Sequence, residues 1–156
     1  MINNALSQRA KEIVEKIIYI TIATCSKDGQ PWNSPVYSAF DENHTFYWGS
    51  DKNSQHSKNI AANNKVFLVI YDSTVPAGTG EGVYIKAKAG EVTDKKEMEK
   101  VVTLLKERAK RSYWKVDQLL GEGPHLYKAI LEKAWMNGEG KVDGVYIDTR
   151  EEVSLK

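Results

Sequence analysis

From Ile18 to Tyr71 the chain strings together short β-branched and aromatic runs separated by tight-turn signals, and that alternation excludes most folds at once. Ile18–Ala23 (IYITIA) is followed by the hairpin dipeptide Asp28-Gly29, and Pro31–Phe40 reads as the return strand. Pro35 interrupts that return without a backbone N–H, which suits an edge or a bulge better than a central ladder. Asp41–His44 is the next turn, and Thr45–Trp48 is a short aromatic strand ended by Gly49. Val66–Tyr71 (VFLVIY) is a continuous apolar run, and its length predicts a mid-sheet strand buried on both faces. Val83–Val92 alternates through Val83, Ile85, Ala87 and Ala89, with a bulge expected at Gly90. Tyr127–Met136 and Val142–Ile147 predict a closing hairpin across Asn137–Lys141.

Three helices punctuate these strands. Leu6, Ala10, Ile13, Val14 and Ile17 form one amphipathic stripe, and Ile60-Ala61-Ala62 ends a short helix entered through the polar loop Ser50–Asn59. Asp94 with Glu97 resembles a capping box, opening a helix through Met98, Val101, Val102, Leu105 and Ala109 to Lys110-Arg111. Ser112–Leu126 is mixed and predicts a short helix with a Gly/Pro loop. Six or seven strands joined by tight turns describe a mainly β, closed or nearly closed antiparallel barrel with peripheral helices. At 156 residues, a single domain over residues 1–156 is expected, and a parallel βαβ sheet does not fit.

Charge and motifs narrow the function. Lys and Arg number 22 against 21 Asp and Glu, a net +1, so no basic excess points to nucleic acid or an anionic membrane. No window reaches the roughly 18 apolar residues of a spanning helix, and the charged N-terminal segment lacks a signal-peptide core. The single Cys25 has no disulfide partner or zinc spacing and reads as a small packed hydrophobe, so a cytoplasmic setting is expected. Gly78–Gly82 (GTGEG) lacks the following helix that a dinucleotide loop requires. His44, His56 and His125 are dispersed, so no metal site is expected, and no side chain is singled out as a catalytic acid or base.

The loop Ser50–Asn59 (SDKNSQHSKN) is the most informative stretch. It gathers hydroxyls, amides, an imidazole and two lysines before a helix N-terminus, a natural seat for phosphate. The same residues also allow a plainer account, in which Ser54 or Ser57 caps the helix and Lys52 and Lys58 are solvated. Beside this loop, the Pro31–Val36 strand withholds an N–H and Phe46-Tyr47-Trp48 offers aromatic surface, a pairing suited to a flat heteroaromatic ring.

Taken in order, IATCSKDGQPWNSPV, TFYWGS, SQHSKNIAANNKVFLVIY and GVYIKAKAGEVTD resemble the pyridoxamine 5′-phosphate oxidase-like family of FMN-binding split barrels, over roughly residues 13–110. The resemblance implies a six-stranded antiparallel Greek-key split β-barrel that forms a homodimer with FMN in the groove between subunits. It maps the first flavin-contacting strand onto Asn33, Ser34, Pro35 and Val36, and the second onto Tyr47 and Trp48. Its phosphate-binding Ser-Arg-Lys falls on Ser54, Gln55 and His56, flanked by Ser50, Ser57 and Lys58. An arginine of the strand is replaced by Asn33 and the Arg-Lys pair by Gln55-His56, leaving Lys58 and a protonated His56 to supply positive charge. Trp135 looks like the family tryptophan that meets the flavin, though a tryptophan in a strand suits the core equally. Arg150 falls near a family arginine, while the substrate-binding Arg-x-His is absent, Asp148-Thr149-Arg150 standing in its region.

The implied activity is FMN-dependent oxidoreduction of a small molecule, with a nicotinamide donor as a candidate partner. The alternatives are a non-catalytic flavin-binding or stress-response module, or the same barrel holding a deazaflavin or a heme ligated by His56 or His125.

Overall fold

The computed structural model describes residues 2–109, 124–138 and 140–156. Helix α1 spans Asn4–Lys16, α2 Gln55–Ala62 and α3 Lys95–Ala109. The strands are β1 (Tyr19–Cys25), β2 (Pro31–Tyr37), β3 (Ala39–Phe40), β4 (Phe46–Ser50), β5 (Lys65–Tyr71), β6 (Gly82–Glu91), β7 (His125–Gly138), β8 (Lys141–Val142), β9 (Val145–Tyr146) and β10 (Thr149–Val153). Most of the mixed segment expected at Ser112–Leu126, and the end of the late helix at Lys110-Arg111, lie outside the described residues.

One antiparallel sheet runs β2-β1-β5-β6-β7-β4-β3, with β10 also on β7. Its two ends, β2 and β3, are separated in sequence only by Ser38, so the sheet curls back on itself into a split barrel. The six expected strands are β1, β2, β4, β5, β6 and β7; β3 and β10 extend them. Strand β7 is long because its free edge is shared: Ala129 to His125 pair with β4, and Gly138 to Ala134 with β10.

Alternation divides the sheet into two faces. Ile20, Ile22, Leu68, Ile70, Val83, Ile85, Ala134 and Met136 point inward, where α1 adds Ala10, Ile13 and Val14 and α2 adds Ile60. The stripe predicted for α1 is the face it buries, and Asn3 Oδ1 caps it by accepting from the N–H groups of Ala5 and Leu6. A second core lies outside the sheet, where Met98, Val101, Val102 and Leu105 of α3 cover Ala39, Tyr47 and Leu126. Arg108 at the end of α3 donates from Nη2 to the carbonyls of Val14 (2.6 Å) and Ile17 (3.0 Å), tying it to the last turn of α1.

Four expectations need correction. Val66–Tyr71 is mid-sheet, but only Val66, Leu68 and Ile70 are buried; Phe67 and Tyr71 stand in solvent because α3 does not reach that part of the outer face. The register shift of β6 against β7 falls between Lys86 and Ala87 rather than at Gly90. Val142–Ile147 does not return along β7: Asp143 (φ 49°) and Gly144 (φ 81°) close a small β8–β9 ribbon, and β10 makes the return. Asp94 Oδ1 does accept from Glu97 N (2.8 Å), but the Glu97 carboxylate leaves the cap for Lys128 Nζ (2.7 and 2.8 Å).

Candidate cofactor site

Among the described residues β2 pairs only with β1, so there its other edge is open and Pro35 withholds no bond that a described neighbour needs. Asn33 and Pro35 point outward and are exposed, whereas Val36 enters the core and Ser34 Oγ accepts from Trp32 Nε1 (3.0 Å). Beside Pro35 lies a cavity of about 380 Å³ bounded by Ile18–Thr21 and Tyr71–Ser73.

Tyr47 and Trp48 offer no aromatic surface. Tyr47 is covered by α3 and donates its hydroxyl to Asp41 Oδ2 (3.1 Å), while Trp48 is 0% exposed and stacks on Tyr127 inside the barrel. The backbone of β4 alone is left to meet a ligand there.

The serine-rich loop does converge. Ser54 is the N-cap of α2, its Oγ accepting from Ser57 N (3.4 Å) and meeting Ser57 Oγ at 2.9 Å. His56 Nε2 lies 2.7 Å from Ser50 Oγ and 3.3 Å from Ser54 Oγ. Burial pulls the His56 imidazole below the ordinary histidine range, so the protein environment disfavours its cationic form. Lys52 and Lys58 are exposed. Gln55 is engaged by Asn59, donating from Nε2 to its Oδ1 (2.8 Å), and Asn59 Nδ2 donates to Thr24 Oγ1 (3.0 Å), fixing α2 to β1. Ser54 thus caps the helix, as the plainer account has it, and also belongs to a hydroxyl cluster. Ser54→Ala is expected to cost about 1 kcal/mol of stability, the usual worth of an N-cap, read from the shift of the denaturation midpoint.

Trp135 is neither in the core nor beside β2. On the outer face the register runs Pro35, Thr21, Val69, Tyr84, Trp135, which spans four strand spacings, or roughly 19 Å. Trp135 stacks on Phe67 (6.3 Å between ring centroids), and Arg150 lies 3.9 Å over the ring of Tyr84. One aromatic patch therefore contains both residues. Its other members, Phe67, Tyr71, Tyr84 and Tyr19, escaped the sequence reading; period-two alternation within VFLVIY and GVYIK was the signal available for three of them.

The sequence named His125 as a candidate heme ligand, but not its partner. His125, the register partner of Ser50, bonds Glu91 through Nδ1, and its buried Nε2 has no hydrogen-bond partner among the described residues.

A family model described as pyridoxamine 5′-phosphate oxidase matches residues 6–133. The chain belongs to the pyridoxamine 5′-phosphate oxidase family. Solved structures agree on the fold at low identity. The heme storage protein HutZ of Vibrio cholerae is 18% identical, with a TM-score of 0.69 over 81% of this chain and 90% of its own. A heme binding protein of Mycobacterium smegmatis is 15% identical, with a TM-score of 0.73 over 94% of this chain and 60% of its own. The conserved hypothetical protein Rv2991 of Mycobacterium tuberculosis is 19% identical, with a TM-score of 0.68 over 86% of this chain and 83% of its own. No curated protein matches the chain. Among the described residues, no helix is long and apolar enough to cross a membrane, and no group of three or more His, Cys, Asp or Glu could hold a metal ion.

Proposed function

We propose that this family member binds FMN in a groove completed by a second copy of the chain and uses it for redox turnover of a small molecule in the cytoplasm. The observation that carries the reading is the open half of the outer sheet face. Tyr19, Phe67 and Tyr71 stand 60%, 38% and 49% exposed there, between the β2 edge on one side and Trp135 on the other. Isolated exposed apolar residues are ordinary, but a contiguous set on one face marks a binding surface. With roughly 19 Å between Pro35 and Trp135, one protomer cannot bring both to one ring, whereas two protomers facing each other can.

The residues present fit the ring and the hydroxyl contacts of such a ligand. The Asn33–Val36 edge would orient a flat ring, the partner's Trp135 would cover it, and the Ser54–Ser57 turn with the first N–H groups of α2 would receive the phosphate. FMN, when bound, supplies the electron or hydride transfer; the chain holds and aligns the reactants. With no arginine in the loop and burial disfavouring a charged His56, Lys52 and Lys58 are the loop's remaining cations, and the charge for a phosphate is incomplete within one protomer.

Titrating the purified protein with FMN is expected to give a bound flavin spectrum on a dimer by light scattering, followed by reduction with NADH or NADPH in stopped flow. A lone protomer without flavin uptake at saturation overturns the reading; uptake without reduction by any nicotinamide or chemical donor leaves a flavin-binding module. A second reading, an iron tetrapyrrole, is favoured by His125: a histidine whose Nδ1 is held by a carboxylate and whose Nε2 is unpartnered is arranged as metal-ligating histidines are. The structural neighbours that bind or store heme support it, and a Soret band on addition of hemin would distinguish it.

A further inference from the structure

We infer that the positive charge missing from each anion seat is supplied across the interface, by Lys86 and Lys133 of the facing copy. The inference rests on the reading of a flavin between two copies.

The outer face has a polarity along the strands. At one end stand Tyr19 and Tyr71; in the middle Val69, Tyr84 and Trp135; at the other end four lysines, Lys65, Lys86, Lys88 and Lys133. Lys86 is the register partner of both Phe67 and Lys133, so the lysines border the Phe67–Trp135 stack directly. The lysine end is also the end at which α2 packs, since only Asn63 and Asn64 separate Lys65 from α2 and Asn59 bonds Thr24 there. The lysines and the Ser54 cluster therefore share one end of the barrel while lying on opposite sides of the sheet.

Two-fold symmetry makes this placement consequential. An axis in the interface plane and parallel to the strands preserves each row and exchanges the two sides of the sheet. It lays the partner's Trp135 over the row of Pro35, as the proposed site requires. The perpendicular in-plane axis would instead lay β7 on β7 and leave β2 without a tryptophan. Once Trp135 is over Pro35, the next row is fixed: Lys133, two residues earlier on the same face, comes opposite Asn33 and Lys86 beside it opposite Ala23, on the side toward the Ser54 turn.

Among the described residues these lysines meet exposed carboxylates, and Lys133 Nζ also lies 5.4 Å from the centre of the Trp135 ring on its own strand. Lys133 meets Glu152 at 2.6 Å and Lys86 meets Glu132 at 3.6 Å, with the lysine side chains 44% and 60% exposed. Exposed pairs of this kind are weak and leave the ammonium groups free to turn to a phosphate.

The test compares FMN with riboflavin, which carries the same ring without the phosphate. In the full-length Lys86→Ala/Lys133→Ala protein, FMN is expected to bind at least tenfold more weakly at low salt, riboflavin within twofold of the parent, and the dimer to persist by light scattering. Unchanged FMN affinity, equal weakening of both flavins, or dissociation into protomers would each overturn the assignment. Mixed dimers supply the second measurement. When the double-lysine variant is paired with Ser54→Ala/Lys58→Ala, both defects fall on one site, so about half the sites regain parental FMN affinity. If the lysines acted within their own chain, no site would. A parent protein that takes up neither flavin refutes the underlying function and is distinct from all these outcomes.

Discussion

Replacing Trp48 with alanine is expected to remove about 3–5 kcal/mol of stability, the range for truncating a buried large aromatic. Trp48 is 0% exposed at the centre of β4, its ring 5.8 Å from that of Tyr127 and surrounded by the main core. Against a typical total of about 5–15 kcal/mol, such a loss leaves little margin, so chemical denaturation should show a large fall in midpoint or no folded baseline. Trp48→Phe separates packing from ligand contact. It keeps most of the apolar volume and deletes an indole N–H that has no hydrogen-bond partner among the described residues, so its cost should stay below about 1.5 kcal/mol. If the folded Trp48→Phe protein binds flavin as the parent does, the side chain plays no direct part in the groove. An alanine variant within 1 kcal/mol of the parent would contradict its burial.

Trp48 also shows where a sequence stops being legible. A run such as Phe46-Tyr47-Trp48 announces a strand with heavy aromatic content, and the strand is there. Whether those rings make a surface or a core depends on what lies above and below, and that is decided by α3, about fifty residues later. The same distant element explains Val66–Tyr71: six apolar residues imply two buried faces, yet α3 covers only the part of the outer face nearest β3 and β4. Local patterns carried the rest well. The turn at Asp28-Gly29, the α1 stripe and the Ser54 cap depend on neighbouring residues and on the 3.6- and two-residue periods, which survive without knowledge of the fold. The closing hairpin failed for a local reason as well, because Asp143-Gly144 is itself a tight-turn dipeptide placed inside the expected strand. In the candidate site, spacing alone sufficed to bring Ser50, Ser54, His56 and Ser57 together. Trp135 and the patch around it required the register of five strands, and the Glu91–His125 pair required contacts 34 residues apart.

Asp41→Ala should be comparably damaging, at roughly 3 kcal/mol, because this carboxylate is the joint between the β3–β4 turn and α3. Its side chain is 5% exposed. Oδ1 accepts from the N–H groups of Asn43 and Thr45, both at 3.0 Å, and Oδ2 accepts from Lys100 Nζ (2.9 Å) and the Tyr47 hydroxyl (3.1 Å). Lys100 is 44% exposed and can turn to water when its partner is deleted, but the Tyr47 hydroxyl is buried and would lose its acceptor. Burial alone would push the Asp41 carboxyl up. The lysine, the two backbone donors and the tyrosine outweigh it and hold the group below its ordinary value. A carboxyl depressed in the folded state stabilises the protein fully above the unfolded value of about 4 and loses that contribution as pH falls through the folded value. The stability of the parent should therefore fall as the pH drops below about 4, with a component absent from Asp41→Asn, which keeps an acceptor for the turn but carries no charge. Denaturation midpoints measured at pH 7, 4 and 2.5 for both proteins give the comparison. Parallel pH profiles would show that the carboxylate charge contributes nothing, and a loss below about 1 kcal/mol in the alanine variant would show that the turn and α3 are joined by other contacts.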